Sequence, residues 1–140
     1  MDHCIVYFSN SAEDLREEDL RVILEQSRRN NVTWGITGVM LYVRGSIVQV
    51  LEGPPEAVEA LYERILRDDR HTNVIRVLNR PIEQRLFAQW SMGYETITTR
   101  QLEEIKAIVD LDGGFGTAPD TNSPAILKMI QVFYNSNRYN

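Results

Sequence analysis

Residues 35–53 read GITGVMLYVRGSIVQVLEG, and this stretch decides the fold. Two apolar runs, 36–43 and 46–51, flank the pair Arg44-Gly45. A glycine there supplies the positive φ that a tight turn requires, so the spacing predicts a β-hairpin. Successive strand side chains point to opposite faces. Ile36, Met40 and Tyr42 therefore share one face and Val39, Leu41 and Val43 the other, while the second run divides into Ser46, Val48, Val50 and Ile47, Gln49, Leu51. Both faces are apolar, which predicts interior strands covered on both sides. Gln49 is the exception, because a buried amide without partners costs roughly 1–3 kcal/mol. It is either a satisfied structural amide or a group that reads a ligand, and the hairpin alone leaves both open.

Working outward, residues 3–9 (HCIVYFS) read as a first strand, with Ile5, Tyr7 and Ser9 on one face and Cys4, Val6 and Phe8 on the other. A polar linker leads to a helix over about 15–30, whose apolar stripe Leu20, Ile23, Leu24 continues by helical steps into Ser27, Asn30 and Asn31. That polar continuation fits either a frayed end at the surface or a set of amides turned toward something buried. Pro54-Pro55 opens a second helix to about Arg67, with Val58, Leu61, Tyr62 and Ile65 on its buried stripe. Residues 73–78 predict a fourth strand that Pro81 terminates, and 86–94, with Phe87, Trp90 and Met92, a fifth.

The order β-α-β-β-α-β-β predicts an α+β, ferredoxin-like sheet with both helices on one face. Right-handed crossovers are expected to set strands one and three parallel at its centre, with Tyr7 and Gln49 neighbours. Two further helices, 98–110 and 124–134, are expected to cover the other face, joined by a glycine-rich loop over 112–122. The chain divides on this reading into a domain over 1–96 and a helical extension over 97–140.

A chain of 140 residues with 43% hydrophobic content can close one core, and its formal charge of −5 argues against a nucleic-acid surface. No run approaches the roughly 18 apolar residues of a membrane span. The first residues lack the basic region and apolar core of a signal peptide. A single cysteine, Cys4, permits no internal disulfide and fits a reducing cytoplasm. His3, Cys4 and His71 lack metal-ligand spacing, and neither GxxxxGK[ST] nor GxGxxG occurs. No serine or cysteine nucleophile stands beside a base, so no enzyme activity is expected. What converges instead between the two helices is Tyr7, Gln49, Asn30 and Asn31, with Trp90 and Met92 on a nearby strand. Such groups can hold a flat heterocycle by hydrogen bonds to its edges, and a tyrosine can supply an electron and a proton.

The segments YFS (7–9), SRRNN (27–31), GITGVMLY (35–42), QVLEG (49–53), DDRH (68–71) and FAQWSMG (87–93) occur in the order and spacing of a known family. Over about residues 3–96 the chain resembles the BLUF domain, the sensors of blue light using flavin, and the rest is similar to the helical extension of its short stand-alone members. The resemblance implies FAD bound non-covalently, its ring between the two helices. It implies that Asn31 bonds the flavin C4 carbonyl and N3 edge, with Asn30 beside it and Ser27 below. Gln49 would stand between Tyr7 and the N5/C4 edge, and Arg64, Arg67 and His71 near the diphosphate. In the family, blue light drives electron and proton transfer from the tyrosine to the flavin. The glutamine then changes tautomer or orientation, giving a red-shifted state that reverts in the dark. Ile47 departs from the family, which usually has an aromatic residue at that position.

The light signal is expected to leave through the fifth strand, by way of the photoactive candidates Trp90 and Met92, to the helices of residues 98–136. Output would pass to a separate effector protein or through a homo-oligomer, since no catalytic or DNA-binding domain is appended. A flavin-free module acting by association, or a flavin-dependent redox enzyme, would share the fold. The colour of the purified protein and turnover with reduced nicotinamide separate the three.

Overall fold

The computed structural model of the chain describes residues 1–11, 16–111 and 125–138. The loop expected over 112–122, with Gly113–Gly116, lies outside the described residues. The elements run β1 (Asp2–Ser11), α1 (Glu17–Trp34), β2 (Thr37–Val43), β3 (Ser46–Gly53), α2 (Pro55–Leu66), β4 (His71–Ile82), β5 (Gly93–Thr96), α3 (Thr99–Leu111) and α4 (Ala125–Arg138). The strands form one five-stranded sheet in the order β4-β1-β3-β2-β5. The hairpin turns where the sequence predicts it, with both Arg44 (φ 45) and Gly45 (φ 82) in the left-handed region. Two such residues match the right-handed twist of the strands they join.

β1 and β3 are neighbours, but antiparallel, with Tyr7 opposite Gln49. This corrects the parallel pairing expected from the sequence. The crossover through α1 makes β2, not β3, run parallel to β1, and it leaves a one-strand gap. The tight hairpin then reverses the chain, so β3 enters that gap antiparallel to both flanking strands. Pro81 does not end β4, which continues to Ile82. β4 is an edge strand, where a residue without N–H leaves no ladder bond missing. The fifth strand, by contrast, is shorter than expected. Only Gly93–Thr96 pair, in parallel with β2, and residues 83–92 approach the sheet as irregular chain.

The period-2 alternation separates two cores. Ile5, Tyr7, Met40, Ile47 and Leu51 face Leu24 of α1 and Val58, Tyr62 and Ile65 of α2. On the other face Cys4, Val6, Val39, Leu41, Val48 and Val50 lie under Leu102 and Ile105 of α3 and Ile126, Leu127, Ile130 and Tyr134 of α4. The sheet is thus a middle layer between two pairs of helices, as the two-faced hairpin requires. Residue 93 is a place where the layers nearly touch. A Cβ on Gly93 would stand 2.3 Å from the Tyr134 hydroxyl oxygen and 3.0 Å from Val39 Cγ1.

Candidate functional site

Tyr7, Gln49 and Met40 lie in one row across β1, β3 and β2, each the cross-strand partner of the next. Period 2 turns all three toward α1 and α2. Above them α1 is not frayed: it continues through Asn30 and Asn31 to Trp34, and Gly35 closes it in the left-handed conformation with its N–H on the Asn31 carbonyl. Asn31 is thereby held inside the last turn and is 1% exposed, whereas Asn30 is exposed at the rim.

Between α1, α2 and this row lies a cleft of about 290 Å³. That is near the lower end of the roughly 300–1,000 Å³ typical of small-molecule sites. Ile23, Met40, Leu61, Ile65 and Met92 supply apolar walls; Gln26, Ser27, Asn30, Asn31, Gln49, Arg64, Asp68, Arg70 and His71 supply the polar groups. Flat apolar walls edged by amides and hydroxyls suit the ring of a flavin, whose edge alternates donors and acceptors.

On the cleft floor the Tyr7 hydroxyl donates to Gln49 Oε1. Tyr7 is wholly buried, and burial pushes its phenol well above the usual range, with Tyr62 and Asp68 adding to the effect, so the proton stays on Tyr7 Oη at rest. Gln49 Nε2 donates to the Met92 sulfur at 3.3 Å. A hydroxyl can donate or accept, so Tyr7 can meet either end of the amide. A thioether only accepts, so Met92 favours the orientation with Nε2 toward it. The floor is an amide between one partner indifferent to its rotation and one that is not.

Met92 lies just before β5 and reaches Gln49 from the irregular segment, not from a neighbouring strand. Two contacts from α1 hold that segment: Asn31 Nδ2 donates to the Ser91 carbonyl, and Arg28 Nε donates to the Met92 carbonyl at 2.9 Å. Two others bridge the helical walls. The Arg64 guanidinium of α2 lies 5.0 Å from the centre of the Trp34 ring of α1. Arg70 chelates Asp68 (2.6 and 2.9 Å) and reaches Gln26 of α1 at 3.2 Å. The hydrogen bond to Arg70 holds the Asp68 carboxyl below the usual carboxylate range. His71 stands 3.2 Å from Ser9 Oγ; burial lowers its pKa, against the pull of the Asp68 charge.

Of the residues singled out in the sequence, Ser27, Asn30, Asn31, Gln49, Arg64, His71 and Met92 line the cleft, with Tyr7 beneath it. Two do not. Arg67, past the end of α2, is exposed, and its Nε donates back to the Glu63 carbonyl. Trp90 is on the opposite side of the sheet, edge-on to Tyr134 at 4.9 Å and capped by Arg138 at 4.8 Å. Residues that join the site without having been singled out are Gln26, Met40, Asp68 and Arg70, together with Arg28 behind Met92. Arg28, Asp68 and Arg70 sit inside the SRRNN and DDRH segments, which were the available signal.

A family model described as "Sensors of blue-light using FAD" matches residues 3–93. The chain belongs to the BLUF family. BLUF proteins are flavin-based sensors of blue light, and this chain carries their motifs around the cleft just described. It is 39% identical over 93 residues to the photoactivated adenylate cyclase subunit beta of Euglena longa, a match covering 66% of this chain and only 11% of the relative. Among solved structures, the photo-activated state of the BLUF protein BlsA superposes with a TM-score of 0.70 at 31% identity, covering 98% of this chain and 94% of that one. Klebsiella pneumoniae BlrP1 with FMN and cyclic diGMP gives 0.69 at 26% identity, over 99% of this chain and 36% of the other. No helix among the described residues is long and apolar enough to cross a membrane.

Proposed function

We propose that this chain is a blue-light receptor that holds FAD non-covalently in the cleft between α1 and α2, with Tyr7 and Gln49 as its photoactive pair. The observation that carries this reading is the continuous contact from Tyr7 Oη to Gln49 Oε1 and from Gln49 Nε2 to Met92, under a cleft edged with amides. Ser27, Asn30 and Asn31 would hold the polar edge of the ring. Arg64, Arg70 and His71, the basic residues of the lining, suit the phosphate-bearing tail, and Arg67 is left outside.

Bound flavin supplies absorption of blue light and an excited state able to take up an electron and a proton. Tyr7 is the residue placed to give both, because its proton is firmly held at rest and its hydroxyl already points at Gln49. Gln49 then turns, exchanging which of its ends meets Tyr7. Since Met92 accepts only from an N–H, that exchange breaks the contact between amide and sulfur and leaves Met92 to repack. Met92 precedes Gly93, on which Tyr134 of α4 sits, and Trp90 is clasped by Tyr134 and Arg138. The signal thus leaves through residues 90–93 toward α3 and α4, the helical extension over 97–140, and passes to a separate cytoplasmic protein or an oligomer interface. The chain itself acts as sensor, not catalyst.

Absorption spectra of the purified protein, dark and after blue illumination, test the reading. A yellow protein with a red shift that reverts in the dark is the expected result, and the extracted flavin identifies FAD or FMN. A colourless protein that takes up no added flavin refutes it. Hydrogen exchange in dark and light tests the route. Protection that changes around Gln49 but is identical over the described residues between 90 and 138 would refute it.

A further inference from the structure

Glu52 is 0% exposed, yet its carboxylate belongs to neither the cleft nor the surface. It stands on β3 three residues after Gln49 and, by alternation, points to the opposite face of the sheet, beside Phe87 in the α3/α4 core. An ion in such a place costs several kcal/mol unless donors surround it. Three do. Thr37 Oγ1 donates to Oε1 at 3.1 Å, the Phe87 N–H to Oε1 at 3.1 Å, and the Leu86 N–H to Oε2 at 2.7 Å. Arg85, ion-paired with Asp2, reaches the same Thr37 hydroxyl at 3.3 Å. Burial raises the Glu52 pKa, and these hydrogen bonds and the Arg85 charge oppose the rise.

A leucine would fill this space without the penalty. The carboxylate answers a different need: Leu86 and Phe87 lie in irregular chain, and their buried N–H groups have no ladder to join. From there the segment is held link by link. The Trp90 N–H donates to the Phe87 carbonyl at 3.1 Å, and the Gly38 N–H to the Trp90 carbonyl at 3.0 Å. Ser91 and Met92 are then tied to α1 through Asn31 and Arg28.

We propose that Glu52 is a positioning residue of the photocycle: it fixes Leu86 and Phe87 on the strand that carries Gln49, and so sets how firmly Met92 is pressed against that amide and how long the light-activated state lasts. This rests on the flavin-sensor reading of the cleft. A looser segment lets Met92 withdraw, removing packing that resists rotation of Gln49, so the dark state returns faster.

The test uses the full flavin-loaded chain, following dark recovery after a blue pulse together with amide exchange. In Glu52→Gln the amide keeps one accepting oxygen and turns an NH₂ toward groups that also donate. Recovery is expected to accelerate by about threefold or more, a change that a fraction of one buried hydrogen bond produces. Flavin occupancy should be unchanged, and exchange faster at Leu86, Phe87 and Met92. Thr37→Val, which removes one donor and leaves Glu52, should act in the same direction more weakly, and carries the test if Glu52→Gln does not fold. In a Met92→Leu background Glu52→Gln should change recovery no further. Faster exchange with recovery within about 1.5-fold of wild type would make Glu52 a purely structural anchor and overturn the proposal. So would an undiminished effect in the Met92→Leu background. A wild-type chain without a red shift overturns the flavin reading itself, and this proposal with it.

Discussion

Replacing Gly93 with alanine puts a methyl group where α4 rests on the sheet. Its Cβ would lie 2.3 Å from the Tyr134 hydroxyl oxygen, 2.8 Å from Cζ and 3.0 Å from Val39 Cγ1. Tyr134 cannot swing aside, being 3% exposed, edge-on to Trp90 at 4.9 Å and to Phe87 at 6.5 Å. Overpacking of this kind costs about 1–3 kcal/mol. The alanine recovers about 0.4–1 kcal/mol by restricting the unfolded chain. A net loss of about 1–2 kcal/mol remains, or a fall in melting temperature of roughly 3–8 °C for a domain of this size. Denaturant titration of Gly93→Ala, Tyr134→Phe and the double variant isolates the cause. Removing the hydroxyl oxygen relieves the nearest clash but leaves Cζ, so Gly93→Ala should cost at least about 0.5 kcal/mol less in the Tyr134→Phe background. Equal cost in both backgrounds would refute the claim that the tip of Tyr134 sets the spacing between α4 and β5. In the light, Gly93→Ala should keep the flavin red shift while weakening the change in α4 protection.

Tyr7→Phe and Gln49→Leu should each retain flavin yet lose the reversible red shift, the first for want of a proton at Oη and the second for want of an amide to turn; a normal photocycle by absorption in either would count against the pair. Asn31→Ala removes the tie to Ser91 together with the ring contact proposed for it, and should weaken flavin binding by about 1 kcal/mol or more, roughly fivefold in Kd by titration. His71, whose pKa burial lowers from 6.5, adds stability that is fully present above the unfolded value and lost as pH falls through the folded one. Denaturation of the flavin-free protein between pH 8 and 5 should therefore show wild type losing stability across that window and His71→Gln losing less; parallel curves would exclude His71 as the source.

The layered fold was legible because period 2 is strict in β1, β2 and β3. Alternation puts Ile5 and Tyr7 on one face and Cys4 and Val6 on the other, and they enter separate cores. The orientation of β1 against β3 differs from the expected one because the handedness rule governs strands joined by a crossover, here β1 and β2. Trp90 shows where periodicity fails. In a regular strand Trp90 and Met92 would share a face, but residues 83–92 are not a strand, and the two emerge on opposite sides of the sheet. What replaces the ladder is a side chain, Glu52, 34 residues before Leu86 in the chain, a pairing no local pattern announces. Arg67 and Arg70 make the same point. Helical phase carries Arg67 outward, while the turn after α2 folds Arg70 back onto Asp68 and toward Gln26.

The apolar far face of the sheet has a bearing on how such a sensor can be re-used. Cys4, Val6, Val39, Leu41, Val48 and Val50 belong to strands within the family match, but the helices over them lie beyond residue 93. A unit cut at that boundary would bare a contiguous hydrophobic surface of the kind that drives aggregation. Grafting it onto another protein therefore requires the recipient to bring its own cover. The cover is also the layer on which Trp90 and Gly93 bear. Whatever shields the sheet is, by the same contacts, what Trp90 and Gly93 touch, so a graft that replaces the cover also replaces the layer proposed above as the exit of the signal.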